Sequence, residues 1–221
     1  MASARELLPL FPLNTVLFPH SRMQLHIFEQ KYRQMISFCL ANSMPFGIVL
    51  IRSGDEVGDT AEPYLVGTKV RILDTFHYED GRYDLTVEGV ERFRIREINT
   101  EAPYLRGTIE SVEDIEEQDE LLLAQLTEEA RSLGEMLVRE HVDNKEFAIK
   151  ILFPEDPGQL SFALANMLDF PPLRKQFLLE LVEASIRLET LIEVLNDLVR
   201  NISTPMKRLT SQDLRDWVTP N

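Results

Sequence analysis

Residues 8–33, LPLFPLNTVLFPHSRMQLHIFEQKYR, constrain the fold more tightly than any other part of this chain. Three prolines, Pro9, Pro12 and Pro19, punctuate short apolar runs. A proline has no backbone donor and a fixed φ, so each must lie at a strand edge, a strand end or a turn. Strands interrupted at such short intervals suit a small, sharply bent barrel better than a broad flat sheet. The pattern predicts short strands over 6–10 and 15–18. Over 22–27, Met23, Leu25 and Ile27 alternate with Arg22, Gln24 and His26, the period of a half-buried strand. From Glu29 the spacing changes to three and four. Tyr32, Met35, Ile36 and Cys39 predict a helix over 29–42, with Glu29 in the first turn, where the helix dipole favours an anion.

The strand-rich pattern continues. Residues 45–51 form a nearly continuous apolar run, expected to be a buried strand. A polar loop with Ser53, Gly54, Asp55, Gly58 and Asp59 follows over 52–63. Strands are expected at 65–73 and 82–88 around Asp80-Gly81, a pair suited to a tight turn. In 90–99, Arg92, Arg94 and Arg96 alternate with Phe93 and Ile95, and 104–112 closes the series. Seven or eight short strands and one helix before residue 113 make a small closed or pseudo-closed barrel.

The composition then shifts. Glu113, Asp114, Glu116, Glu117, Asp119 and Glu120 read as a solvated acidic linker and helix start. Leu122, Leu126, Leu133 and Leu137 mark an amphipathic helix over 119–142, weakened at Gly134. Residues 144–153 are ambiguous, 154–157 form a turn, and 159–169 read as a short helix. Pro171-Pro172 enforces a stop and a restart. Apolar residues spaced by three and four predict one long helix over 173–202, roughly 45 Å at ~1.5 Å per residue. Its wide apolar face suits a bundle, with a weak homodimer as the second reading. Residues 204–221 read as a tail that Trp217 would anchor. The expectation is an α+β chain: a barrel over 1–113, a helical bundle over 114–203 and a tail over 204–221.

The chemistry is thin. The formal net charge of −14 disfavours general binding to phosphate backbones. The basic stripe of Lys69, Arg71, Arg92, Arg94 and Arg96 is flanked by Glu88, Glu91 and Glu97, so ion pairing is the better reading than RNA contact. Cys39 is the only cysteine, which fits a reducing, cytoplasmic setting and a buried structural thiol. No apolar run approaches the ~20 residues of a membrane span. His20, His26, His77 and His141 are scattered. No GxxxxGK[ST], HExxH or GxSxG motif occurs. No catalytic residue, metal or cofactor is therefore expected.

The opening stretch resembles the N-terminal domain of Lon proteases, whose usual pattern is LPLFPLPxVVLFPGxxLPLHIFEPRYRxM. LPLFPL, LFP, HIFE and YR are intact; Asn14 and Gln30 stand where proline is usual, and His20 where glycine is usual. VGTKVRI, DGRYDLTVEGVERFRI and YLRGTIE resemble later strands of the same domain, with Gly67, Gly89, Arg92 and Phe93 on its pattern. DPGQLSFALANML and RKQFLLELVEASIRLETLIEVL resemble its helical continuation, so the likeness covers 8–200. It implies a PUA-like pseudo-barrel followed by a helical bundle, without the ATPase and peptidase modules. It also implies that Arg92 lies near Glu29 or Tyr32, tying the helix to the barrel. Its functional implication is a non-catalytic module that binds exposed or unfolded polypeptide. Phe11, Phe18, Phe28, Tyr32 and Phe93 are then candidate peptide contacts, in competition with a role in the core. The alternative is an adaptor that docks on a partner protein through its acidic helical half.

Overall fold

A computed structural model describes residues 6–56, 61–141 and 153–200. Most of the ambiguous stretch 144–153, the 204–221 tail with Trp217, and part of the 52–63 loop lie outside the described residues. The chain divides after Glu113 into two compact units.

The first unit contains β1 (Glu6–Leu13), β2 (Arg22–Ile27), α1 (Gln30–Asn42), β3 (Phe46–Ser53), β4 (Glu62–Pro63), β5 (Val66–His77), β6 (Tyr83–Asn99) and β7 (Arg106–Val112). Pro9 lies where β1 changes partner, and Pro12 lies within the part paired with β3. The strand runs antiparallel to β7 as far as Pro9, then parallel to β3 from Leu10 onward. This exchange closes the sheet into a ring, β1-β7-β6-β5-β3 and back to β1.

Both faces of β1 are covered, which explains its continuous apolar run. Leu8 and Leu10 join Val49, Phe93, Ile95 and Ile109 in one cluster. Phe11 and Leu13 join a second cluster with Tyr32, Met35, Ile36 and Cys39, the apolar stripe of α1.

Two strand expectations are corrected. Residues 15–18 form no strand, although Val16, Leu17 and Phe18 are buried. The Thr68 hydroxyl donates to the Leu17 carbonyl at 2.5 Å, so a side chain replaces a ladder bond there. The separate strands over 82–88 and 90–99 are instead one continuous strand, β6. Its first half pairs with β2, its second with β7, and β5 runs beside both. Gly89 permits that continuity. Its N–H donates to the Ser21 carbonyl at 2.9 Å and its carbonyl accepts from the His20 N–H at 2.8 Å. A Cβ on Gly89 would collide with the Phe18 carbonyl oxygen.

His20 adopts φ 62°, a left-handed conformation. That is the physical reason for glycine at this position in the pattern that the chain resembles. A non-glycine residue there costs roughly 1–2 kcal/mol, part of which glycine returns through its freer unfolded chain. His20→Gly is therefore expected to stabilise the chain by up to about 1 kcal/mol. A higher urea midpoint at unchanged m-value would confirm it, and a lower midpoint would refute it.

The second unit contains α2 (Glu120–His141), α3 (Pro157–Met167), α4 (Pro172–Glu180) and α5 (Ala184–Arg200). The Asp156 carboxylate caps α3 by accepting from the Gln159 N–H at 2.8 Å. The single helix expected over 173–202 is corrected to two, α4 and α5, separated by Leu181, Val182 and Glu183. Nothing local forbids a continuous helix; the partners that break it come from the acidic linker. The Ile115 N–H donates to the Val182 carbonyl at 2.9 Å. The Glu117 carboxylate accepts from the backbone N–H and the hydroxyl of Ser185, each at 2.9 Å.

Arg187 completes this joint with its side chain 1% exposed. Its Nη1 donates to Asp114 Oδ1 and to the Leu181 carbonyl, both at 2.8 Å. Its Nη2 donates to Asp114 Oδ2, and its Nε to the Ser161 hydroxyl at 2.8 Å. The guanidinium lies 4.3 Å over the Phe162 ring. The 113–120 run is thus partly structural rather than only solvated.

Candidate functional site

Of the five aromatic candidates, four pack inside. Phe18 and Phe93 are fully buried, and Phe11 and Tyr32 nearly so. Phe11 meets Tyr32 edge-on at 4.4 Å and Phe46 at 6.3 Å. The Phe93 ring lies against two strand backbones; a Cβ on Gly47 or Gly67 would come within 2.6 and 2.9 Å of its Cζ. Gly67 would also bring a Cβ to 2.5 Å from the Ile48 carbonyl oxygen. These four side chains meet a peptide only if the barrel opens. Phe28 differs: it is 54% exposed.

Glu29 is the N-cap residue of α1, without a side-chain capping bond, and its carboxylate lies 3.9 Å from Lys31 Nζ. Arg92 is buried, opposite Thr68 in one ladder and Val112 in the other. Three further members of the basic stripe, Lys69, Arg71 and Arg96, are met by carboxylates. Lys69 Nζ binds Glu6 at 2.7 Å and Glu91 at 3.1 Å. Arg71 pairs with Glu88, and Arg96 with Glu110. Such pairing leaves little charge for a phosphate backbone. Burial pushes the Cys39 thiol up to about 11, which fits a packed group and not a nucleophile. No group of His, Cys, Asp and Glu among the described residues is arranged to hold a metal ion. No helix among them is long and apolar enough to cross a membrane.

Exposed apolar residues are spread over the chain, and a cluster of aromatic ones lies at the tip of the β5–β6 hairpin, around the positive-φ turn at Gly81. Register puts His26 of β2 and Phe76 of β5 on either side of Asp84 of β6, in one cross-strand row. Alternation carries Phe28 and Tyr78 to the same face. The rings form a continuous string. His26 stacks on Phe28 at 6.2 Å, Tyr78 meets His26 edge-on at 6.2 Å, and Phe76 meets Tyr78 edge-on at 4.8 Å. Phe76 is 61% exposed.

A polar network holds these rings. Asp84 accepts from the Tyr78 hydroxyl at 2.5 Å and pairs with His26 Nδ1 at 2.6 Å. Arg82 Nη1 faces His26 Nε2 at 3.4 Å, and its guanidinium lies 5.2 Å over the Tyr78 ring. The Tyr78 and His26 bonds hold the Asp84 carboxyl below its ordinary range. The Arg82 backbone N–H does the same for Asp80.

Residues of opposite parity, His77 and Tyr83, stack at 4.4 Å on the other face. There they line an open groove of about 480 Å³ with Gln30, Arg33, Gln34 and Phe38 of α1. The sequence reading reached Phe28 but missed Phe76 and Tyr78. The available signal was their alternation beside Asp80-Gly81, matching that of His26 in β2 and Phe28 just after it.

Comparisons with known proteins converge on one family. The model of the ATP-dependent protease La (LON) substrate-binding domain matches residues 7–197. The chain is 32% identical over 195 residues to Lon protease of Anaeromyxobacter dehalogenans (strain 2CP-C), covering 86% of this chain and 23% of that protein. It is 31% identical over 197 residues to Lon protease 2 of Myxococcus xanthus, covering 86% and 24%. The chain thus spans about a quarter of the length of these curated relatives. Among solved structures, the Lon N-terminal domain protein from Xanthomonas campestris superposes with a TM-score of 0.59 at 27% identity, covering 85% of this chain and 98% of that one. The N-terminal domain of Mycobacterium avium complex Lon protease shares the fold, with a TM-score of 0.66 at 22% identity over 87% and 99%.

Proposed function

This chain belongs to the Lon substrate-binding domain family, and from that membership we propose that it is a non-catalytic recognition module for exposed, unfolded segments of other polypeptides. The observation that carries this reading is the family match, which runs through the barrel and most of the helical unit. The exposed aromatic string supports it, because large solvent-facing rings held in place are suited to apolar recognition. The matched family model describes a substrate-binding domain, which supports a recognition role.

The test is fluorescence anisotropy with labelled lysozyme, native and permanently unfolded by reduction and carbamidomethylation. Both forms are basic, so charge is nearly constant and folding state is the variable. Apolar recognition predicts at least ~10-fold tighter binding of the unfolded form, still present at high salt. Equal binding of the two forms, or none to either, refutes the reading. A docking adaptor would instead require a folded partner and lose affinity with salt.

A further inference from the structure

We propose that the outer face of the β5–β6 hairpin tip is the docking site, and that it selects extended polypeptide segments in which aromatic residues are interspersed with lysine or arginine. This rests on the unfolded-polypeptide reading above and names its substrate class.

Charge complementarity identifies the occupant. Residues 74–84 carry Asp74, Glu79, Asp80 and Asp84 against a single Arg82, a net charge of −3 within a chain of −14. Asp80 pairs with Arg82 at 2.8 Å and Asp84 with His26 Nδ1 at 2.6 Å, so the charge offered to a partner comes chiefly from Asp74 and the exposed Glu79. The acidic rim surrounds exposed rings rather than a plain polar surface. Ring faces attract cations, and Arg82 already sits over Tyr78 in that way. A segment bearing aromatic and basic side chains satisfies both features, whereas an acidic segment meets like charge.

Backbone geometry specifies an extended segment. Among the described residues β2 has one strand partner, β6, and its Gln24 and His26 are exposed, a place where an extended segment can be added. A strand added there would run beside His26 and Phe28. Its side chains would repeat every second residue, the spacing of His26 to Phe28 and of Phe76 to Tyr78. The Asp84 bonds to His26 and Tyr78 fix those rings in advance, which lowers the ordering cost of binding.

The experiment uses short fluorescein-labelled peptides in a Ser/Gly background, carrying Phe with Lys, Phe with Glu, or Lys alone. The full chain is expected to bind the Phe/Lys peptide at least ~10-fold tighter than either other peptide at low salt. The preference over Phe/Glu should shrink at high salt. Phe28→Ser combined with Phe76→Ser should weaken Phe/Lys binding by at least ~10-fold. Leu65→Ser, an exposed apolar position off this face, should leave it unchanged. Circular dichroism verifies folding; if the double variant unfolds, Glu79→Lys in the exposed turn serves instead and should lower the Lys-over-Glu preference at least ~3-fold.

Equal affinity for the Lys and Glu peptides, or unchanged affinity in the folded double variant, overturns the proposal. If that variant still binds unfolded lysozyme as the parent does, the site is wrong and the recognition reading stands. If the parent binds neither unfolded lysozyme nor any peptide, both readings fall.

Discussion

Arg187→Ala is expected to destabilise the chain by about 2–4 kcal/mol, because it removes a buried guanidinium bonded to a partly exposed carboxylate, a hydroxyl and a backbone carbonyl. The loss exceeds that of a surface salt bridge for a structural reason. Arg187 binds Asp114, Ser161 and the Leu181 carbonyl at once, joining the linker, α3 and the α4–α5 joint. Removing it takes a bidentate donor from the Asp114 carboxylate and a donor from the partly buried Leu181 carbonyl. Asp114→Ala should be similarly costly, since it strands the guanidinium. The double variant Asp114→Leu/Arg187→Met should recover part of the loss, because two apolar groups leave no unpaired charge. Urea unfolding followed by helical circular dichroism measures all three. Additive losses would show that the pair is not the joint's main tie.

Phe93→Ala is expected to cost about 3–5 kcal/mol, the range for deleting a buried aromatic ring. The ring is 1% exposed, packed with Leu8, Leu10, Val49, Ile95 and Ile109. It also fills the space left by the absent side chains of Gly47 and Gly67. On the side of Gly47 and Gly67 the wall is strand backbone, which cannot move in to fill the gap. Phe93 was a candidate peptide contact on its sequence pattern, and the variant separates the two roles. A core residue gives a large stability loss while the folded fraction keeps its affinity for unfolded lysozyme. A contact residue gives the reverse, and a loss below ~1 kcal/mol would exclude the packing role.

The comparison of pattern with structure divides along the range of the interactions. Strand β2 and helix α1 were legible because their partners lie along one face each, and one-face burial writes a period into the sequence. The hairpin at Asp80-Gly81 was legible because turn chemistry is local. The joint between α4 and α5 was not. Residues 173–202 keep helical spacing throughout, and the groups that interrupt it, Ile115 and Glu117, lie nearly 70 residues earlier. Gly89 misled in the opposite sense. A glycine within a strand reads as a break, yet here it admits the Phe18 carbonyl and keeps β6 whole.

The candidate site was half legible for the same reason. Sequence alone cannot separate an aromatic residue in the core from one on the outer face, and four of the five chosen rings are interior. Phe76 and Tyr78 come into view only when the register of β5 against β6 and β2 sets them beside His26.

The partner exchange of β1 has a consequence for synthesis. Leu8 pairs opposite Gly107, so this strand emerges from the ribosome about 100 residues before its antiparallel neighbour. At ~5–20 residues per second the wait is roughly 5–20 s. The parallel partner of Leu10–Leu13, β3, follows after only about 40 residues, but throughout that interval the Glu6–Pro9 half has no ladder to join, the state in which nascent chains associate wrongly. Pro9 and Pro12 withhold two of the strand's backbone donors, making it a poor template for a stray strand. Pro9, which marks the change of partner in the finished ring, thus acts beforehand with Pro12 as a gatekeeper for a strand still waiting to be closed in.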